Sequence, residues 1–444
     1  MKEYEIIVIG GGPSGITLAK NLGKKKAIAI IRPEDYSMIY CAMPYVIEGI
    51  LPIEKTFKKD ELVTGSGADL IRDEVVKVDF EAKKLFLKSG RELVYKTLII
   101  ATGGTPILPP IDGVDLPGVF TFKTQKDLSD ILTYVKEKGV RNGVVIGAGA
   151  IGIELVQAFN ETGLDAYLID MADHILPNLV DADFAAPAQD AIKAKGIISR
   201  LNSKVSALKG GDFVNEIVLD SSEKISLKDG SVVVFSVGVK ANVDLFRDTV
   251  LEIGPQGIVV DEKMRTNIPD VYAVGDCAQF KSAITGQLMP GKLATNAVPM
   301  ARMLAKNLLG DDRSYKGFFN GAATKVEDFF VGGTGLTEGF LQKENIPYIK
   351  GEAELTTIFP VMPGAKKIKM KLLAEKGTLR ILGGQVISGM PVTDKVDIIT
   401  MAIEYGVNAK ELAAFSYSAQ PYQSFFPANN LLVACSEAIL SQQD

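Results

Sequence analysis

Apolar positions along this chain follow two different rhythms. The run Tyr4-Glu-Ile-Ile-Val-Ile-Gly10 is almost continuously apolar and ends in glycine, as a parallel strand covered on both faces does. Residues 15 to 23 carry on as a helix. The same order returns at Gly143-Val-Val-Ile-Gly147, which is followed by a helix to about Thr162 and a second strand, Ala166-Tyr-Leu-Ile169. Between the two lie short β segments, Val75 to Asp79 and Lys84 to Leu87, then Thr97-Leu-Ile-Ile-Ala-Thr-Gly103. The proline-rich stretch from Pro106 to Pro117 predicts a crossing between domains. After residue 242 the chain is expected to return to the first unit, because Asp270-Val-Tyr-Ala-Val-Gly-Asp276 again reads as a strand entering a turn. From Phe319 onward the rhythm changes. Lys367-Ile-Lys-Met-Lys-Leu372 alternates charged and apolar residues, which predicts a half-exposed strand with its lysines in solvent.

Both strand-to-helix junctions carry a glycine fingerprint. The first, Gly10-Gly-Gly12-Pro13-Ser14-Gly15, has glycines for a tight turn, for close approach of the backbone to a pyrophosphate and for packing of helix on strand. The helix N-terminus then faces the phosphates. The second is Gly147-Ala-Gly149-Ala-Ile151-Gly152, with Asp170 following at the end of the next strand. A carboxylate there suits the ribose 2′-hydroxyl of NADH and repels the 2′-phosphate of NADPH, which remains the alternative. In the first unit the matching strand, Ala27-Ile-Ala-Ile-Ile31, ends without an acid, and Glu34 is the nearest substitute. Either Glu34 reaches back to the ribose or backbone and water hold the hydroxyls. Two fingerprints imply two dinucleotides, and the natural pair is a tightly held flavin with an exchangeable nicotinamide.

The predicted fold is therefore α/β, with two Rossmann-like dinucleotide-binding domains and a C-terminal α+β interface domain. The expected boundaries are 1–112 with 243–318 for the flavin, 113–242 for the nicotinamide, and 319–444 for the interface domain. A chain of 444 residues with 47% hydrophobic content is long enough for three cores. The net charge of -5 and the scattered lysines argue against nucleic acid as a partner. No apolar run approaches the ~18 residues of a membrane span, and Met-Lys-Glu-Tyr leads straight into a strand, so no membrane association and a cytoplasmic location are expected. Three cysteines, at 41, 277 and 435, are too few and too scattered for a disulfide framework or a recognisable zinc site, so no metal is expected.

Cys41 stands in Ser37-Met-Ile-Tyr40-Cys41-Ala-Met-Pro-Tyr45 with no cysteine near it. With both fingerprints, Ala101-Thr102-Gly103, Val237-Gly238-Val-Lys-Ala-Asn242 and Thr266-Asn-Ile-Pro-Asp-Val-Tyr-Ala-Val-Gly275-Asp276, it makes the resemblance specific. The chain resembles the pyridine nucleotide-disulfide oxidoreductase family over essentially its whole length. Within that family it is similar to the single-cysteine branch of coenzyme A-disulfide reductases, NADH oxidases and NADH peroxidases. Two-cysteine members carry C-x-x-x-x-C beside the flavin; here Ser37 holds the first place and Cys41 the second. One sulfur cannot close an internal disulfide, so its oxidised form is a mixed disulfide with a small thiol or a sulfenic acid. Cys41-Ala-Met-Pro-Tyr45 is similar to the C-A-L-P-Y run of coenzyme A-disulfide reductases.

The resemblance implies FAD, a nicotinamide cofactor, and coenzyme A as substrate or adduct. It implies electron flow from NADH through FAD to Cys41 and on to a small-molecule disulfide or polysulfide; the rival acceptor is O2, reduced to peroxide or water. It also implies a homodimer or a dimer of dimers. Asp276 matches the aspartate that binds the flavin ribityl chain, and Glu154 the carboxylate near the nicotinamide. Ala150 stands where many relatives have a bulky aromatic over the flavin. The histidine that peroxidases and many oxidases carry inside the first fingerprint is replaced by Pro13-Ser14, and the one histidine, His174, is expected to be structural. Proton handling is then expected to fall to Tyr417 or Tyr422, in Tyr417-Ser-Ala-Gln-Pro-Tyr422, which is similar to a functional tyrosine stretch of the reductases' interface domain. For the adenosine end of coenzyme A, Lys20, Lys24, Lys25 and Lys26 supply positive charge beside Thr17 and Asn21; a solvated helix end accounts for the lysines equally well. Ser37 and Tyr40 complete the expected substrate set. Cys277 and Cys435 are expected to be packing residues.

Overall fold

The computed structural model describes residues 2–227 and 229–442, which form three main sheets. In the first, Lys2–Ile9 lies between Ile28–Arg32 and Glu92–Ile100, all parallel, with Asp69–Arg72 outside them. Every residue of Ile28–Arg32 is buried, which is why its sequence shows no alternation. The returning strand Val271–Ala273 pairs in parallel with Glu92–Ile100, so the first unit is completed by residues far along the chain. Lys84–Leu87 and Val75–Asp79 extend the sheet in antiparallel fashion.

The second sheet is wholly parallel, in the order Val119–Thr121, Ser231–Phe235, Asn142–Ile146, Asp165–Ile169, Ile198–Arg200. Outgoing and returning chain are stapled where they cross between the two units: Gly104–Pro106 pairs with Val239–Ala241. Beside this pair the Thr102 hydroxyl donates to the Asn242 carbonyl at 2.7 Å, and the Asn242 amide donates to the Thr102 carbonyl at 3.0 Å.

The third sheet is antiparallel, in the order Ala322–Val326, Phe329–Gly335, Ile381–Ser388, Lys367–Glu375, Tyr348–Thr356. Helices Thr393–Glu404 and Leu431–Leu440 cover one face, burying Met370, Leu372, Val386, Ile399 and Cys435.

The expectation for Lys367–Leu372 fails at one residue. Lys367 is in solvent, but the Lys371 side chain is fully buried. The face that alternation assigned to water is covered by the second unit, whose helix Ala182–Ala194 presents Asp183 and the Phe184 ring, with Asp181 just before it. The Lys371 ammonium lies 2.6 Å from Glu338, 2.8 Å from Asp183 and 3.4 Å from Asp181. Burial works against its charge, yet the bonds to Asp183 and Glu338 hold its pKa up at about 12. Asp181 also accepts from the backbone N–H groups of Glu338 and Gly339, so the cluster clamps the second unit to the third.

Candidate functional site

The two fingerprints fold alike because their glycines meet the same constraints. Gly10 has φ +121°, and a Cβ there would lie 2.1 Å from the Ala101 carbonyl oxygen; a Cβ on Gly15 would lie 2.1 Å from the Gly10 oxygen. Gly12 differs, since nothing lies within 4 Å of its Cβ position. Gly147, Gly149 and Gly152 repeat this arrangement, with Gly149 again open. The first and third glycines thus let protein pack on protein, while the middle one faces free space. Helices Pro13–Leu22 and Ala150–Glu161 both begin without a side-chain cap and without an acid in the first turn. Their N–H groups are therefore left for an anionic ligand, which fits a dinucleotide at each.

Ser14 is buried, its hydroxyl donating to the Ala297 carbonyl at 3.2 Å, and Pro13 opens the helix. Ala101, Thr102 and Gly103 follow Glu92–Ile100, and the backbone of Ala101 and Thr102 packs against Gly10 of the first fingerprint. Gly238 lies in the exposed turn before the crossing strand. Gly275, at φ +76°, brings the backbone so close to Ser14 that a Cβ would sit 2.8 Å from its hydroxyl oxygen. Asp276, next in sequence, is bound through Oδ2 to the Lys123 ammonium at 2.9 Å.

The Asp170 carboxylate is held at both oxygens, by the Ala148 N–H at 2.5 Å and the Ala172 N–H at 2.7 Å. It is thereby fixed against the second fingerprint. In the first unit, Glu34 is exposed and its backbone carbonyl accepts from Arg32. The Arg32 side chain is buried under Gly11 and paired with Asp60, which Arg72 shares. Asp60 is a carboxylate that sequence reasoning missed, because it is brought to the strand end only by the fold.

Cys41 lies in the helical turn Tyr40–Ala42, ahead of the short helix Met43–Ile47, and is exposed. Pairing of Ser37–Met38 with Phe57–Lys58 sets Lys58 opposite Ser37, and the Tyr36 and Phe57 rings stack at 4.6 Å beside them. Burial pulls the Lys58 pKa down, the nearby Cys41 sulfur offsets part of that, and Lys20 adds to it. Lys58 thus lies within electrostatic reach of both the thiol and Lys20 of the fingerprint helix, unsignalled by the sequence because its partner strand is two residues long. The Tyr45 pKa is pushed up to about 12, chiefly by burial, with Glu154, Glu48 and Cys41 contributing; its hydroxyl stays protonated. Burial likewise raises that of Tyr40. The Ser37 hydroxyl is buried with no hydrogen-bond partner, as are five other side-chain atoms among the described residues.

Glu154 is oriented by the Thr324 hydroxyl at 2.8 Å, across to the third unit, and burial raises its pKa. Ile151 is exposed on the first turn of its helix, next to Ala150. Thr17 and Asn21 spend hydrogen bonds on their own helix, to the Pro13 and Thr17 carbonyls, and Lys24 is exposed beyond the helix end. Tyr417 and Tyr422 are exposed on the segment before helix Leu431–Leu440, in a different domain from Cys41; the Tyr417 hydroxyl donates to the Pro427 carbonyl at 2.5 Å. His174 bonds Asp173 and the Val180 carbonyl. Cys277 and Cys435 are buried. A groove of about 1130 Å³ against Lys2, Tyr4, Asp69 and Leu93 lies where the first sheet's strands begin, opposite the glycine turns, and is not this site. Among the described residues no helix is long and apolar enough to cross a membrane.

Two nucleotide cradles sharing one molecule with a single exposed thiol define a redox enzyme of the two-dinucleotide class. Residues 4–301 match the model of the pyridine nucleotide-disulphide oxidoreductases, and residues 322–426 match their dimerisation domain. The chain belongs to that family: it is an FAD-dependent, nicotinamide-using oxidoreductase that carries a dimerisation domain. It is 33% identical to an NADH oxidase of Methanocaldococcus jannaschii over 94% of each chain. It is 29% identical to the CoA-dependent NAD(P)H sulfur oxidoreductase of Pyrococcus furiosus, over 93% of this chain and 94% of the relative. Its fold superposes on reduced Bacillus anthracis CoADR-RHD with a TM-score of 0.93 at 28% identity, covering 99% of this chain and 81% of the other. The NAD-dependent persulfide reductase of A. fulgidus gives 0.92 at 26%, covering 99% and 83%.

Proposed function

We propose that this enzyme uses NADH to reduce coenzyme A disulfide or a related low-molecular-weight disulfide or polysulfide, with Cys41 as its single redox sulfur. The observation that carries this reading is the exposed Cys41 thiol, with Ser37 where a second sulfur would stand and Lys58 paired opposite that serine. Relatives named for CoA-dependent sulfur and persulfide reduction support the same substrate class.

When bound, the flavin supplies two-electron transfer between nicotinamide and sulfur. The residues do the rest. The Cys41 sulfur attacks one sulfur of the disulfide, forms a mixed disulfide and releases the first thiol. Two electrons then cleave that bond, restoring Cys41 and releasing the second thiol. One NADH and one proton are consumed per disulfide. Lys58, together with Lys20 and Lys24, supplies positive charge for an anionic substrate. Asp170 holds the NADH ribose, Glu154 the nicotinamide end, and Tyr417 or Tyr422 handles protons from the interface domain.

The competing reading is an NADH oxidase, favoured by the Methanocaldococcus relative. NADH consumption separates them when followed without oxygen in the presence of coenzyme A disulfide or polysulfide, then in air without either. The reductase gives anaerobic turnover that Cys41→Ser abolishes. Turnover only in air overturns it in favour of the oxidase.

A further inference from the structure

Lys123 reaches the flavin site from the other dinucleotide unit. It lies between strand Val119–Thr121 and helix Gln125–Lys138, and its backbone N–H donates to Asp127, the carboxylate that closes the capping box of that helix. The start of its side chain is thereby fixed. From there the ammonium crosses to Asp276 Oδ2 at 2.9 Å, with the two side chains 22% and 18% exposed. Asp276 is also held through its backbone, whose carbonyl accepts from Lys292 at 2.7 Å; the same ammonium donates to the Gln256 carbonyl at 2.9 Å. Burial lowers the Lys292 pKa, and Asp276 counters part of that effect. The carboxylate expected to meet the flavin ribityl chain thus has one oxygen anchored by a cation of the nicotinamide unit. A carboxylate accepts at both oxygens, so the other serves a ribityl hydroxyl.

We propose that Lys123 is a positioning residue of the flavin site, orienting the Asp276 side chain for FAD from across the interdomain boundary. The proposal rests on the reading of Asp276 as a flavin ligand. The physical reason is pre-organisation: a mobile carboxylate must be ordered each time FAD binds, while one held by a charge-assisted bond is already in place.

The test is FAD affinity of the holoenzyme, measured by the flavin fluorescence released on dilution. Lys123→Met and Lys123→Gln should each raise the FAD Kd roughly tenfold, the loss of one charge-assisted hydrogen bond. Lys123→Arg should restore it to within about threefold, a rescue that mere space-filling would not give. In an Asp276→Asn background, Lys123→Met should add little, because the two residues act as one unit. Unchanged Kd in both Lys123 variants, or full additivity with Asp276→Asn, overturns the proposal. Wild-type affinity in Asp276→Asn itself removes the flavin-ligand reading beneath it, a separate and recognisable failure.

Discussion

Replacing Lys371 by Met removes a buried cation and leaves its carboxylates behind. Asp181, Asp183 and Glu338 each place an oxygen within 4.8 Å of the others. At that spacing two unit charges repel by roughly 3 kcal/mol at an effective dielectric of ~20. Breaking a buried ion pair by deleting one partner costs about 3–5 kcal/mol, for the same reason. A domain is stable by about 5–15 kcal/mol in all, so the clamp between the second and third units should fail well before the rest. The assay is thermal unfolding of the flavin-loaded protein at pH 7, read by far-UV circular dichroism and by flavin release. These are apparent midpoints, because a chain of several domains does not melt in one step. Lys371→Met should lower the first midpoint by roughly 10 °C. Adding Asp183→Asn and Glu338→Gln to the Met variant should recover at least half of the loss, since the excess negative charge is then gone. A midpoint shifted by less than about 2 °C, or a triple variant less stable than the single one, would refute the electrostatic account.

The same cluster gives a pH dependence. Burial raises the Asp183 and Glu338 pKa values, but Lys371 together with Lys369 and Lys350 at Asp183, and with Tyr348 and Lys350 at Glu338, outweighs it and holds both below the ordinary carboxylate range. Their contribution is therefore complete above a pH of about 4 and is lost as pH falls through the depressed values; that of Lys371 is complete below about 10.5 and is lost as pH rises through about 12, so acid should shrink the first midpoint before base does. Asp170→Ala should cut kcat/KM for NADH roughly tenfold or more while NADPH use stays level or improves, measured as the ratio of the two. Lys58→Met should raise KM for coenzyme A disulfide roughly tenfold and leave flavin reduction by NADH, followed by stopped flow, unchanged. Gly10→Ala should yield no soluble flavin-loaded protein, because its Cβ would lie 2.1 Å from the Ala101 oxygen; recovery of yellow protein at wild-type yield would contradict this.

The elements that the sequence declared most clearly are those whose physics is local. Tyr4 to Gly10 and Gly143 to Gly147 are buried parallel strands running into glycine turns; each pairs with the next parallel strand some twenty residues on, and Gly15 and Gly152 pack on Gly10 and Gly147 within the same turn. The lone Cys41, the serine four residues before it and the carboxylate Asp170 were legible for the same reason. What the sequence could not carry is which charged side chains meet when separate elements pack. Lys371 sits in a strand whose alternation assigns it to water, yet a helix from another unit covers that face and supplies its carboxylates. Lys58 comes to lie opposite Ser37 because a two-residue strand pairs there, and Asp60 and Lys123 reach Arg32 and Asp276 across 28 and 153 residues of chain. Periodicity reports only that one face of an element is apolar. What covers the other face, and so which buried charges must find partners there, is settled only when the three units pack.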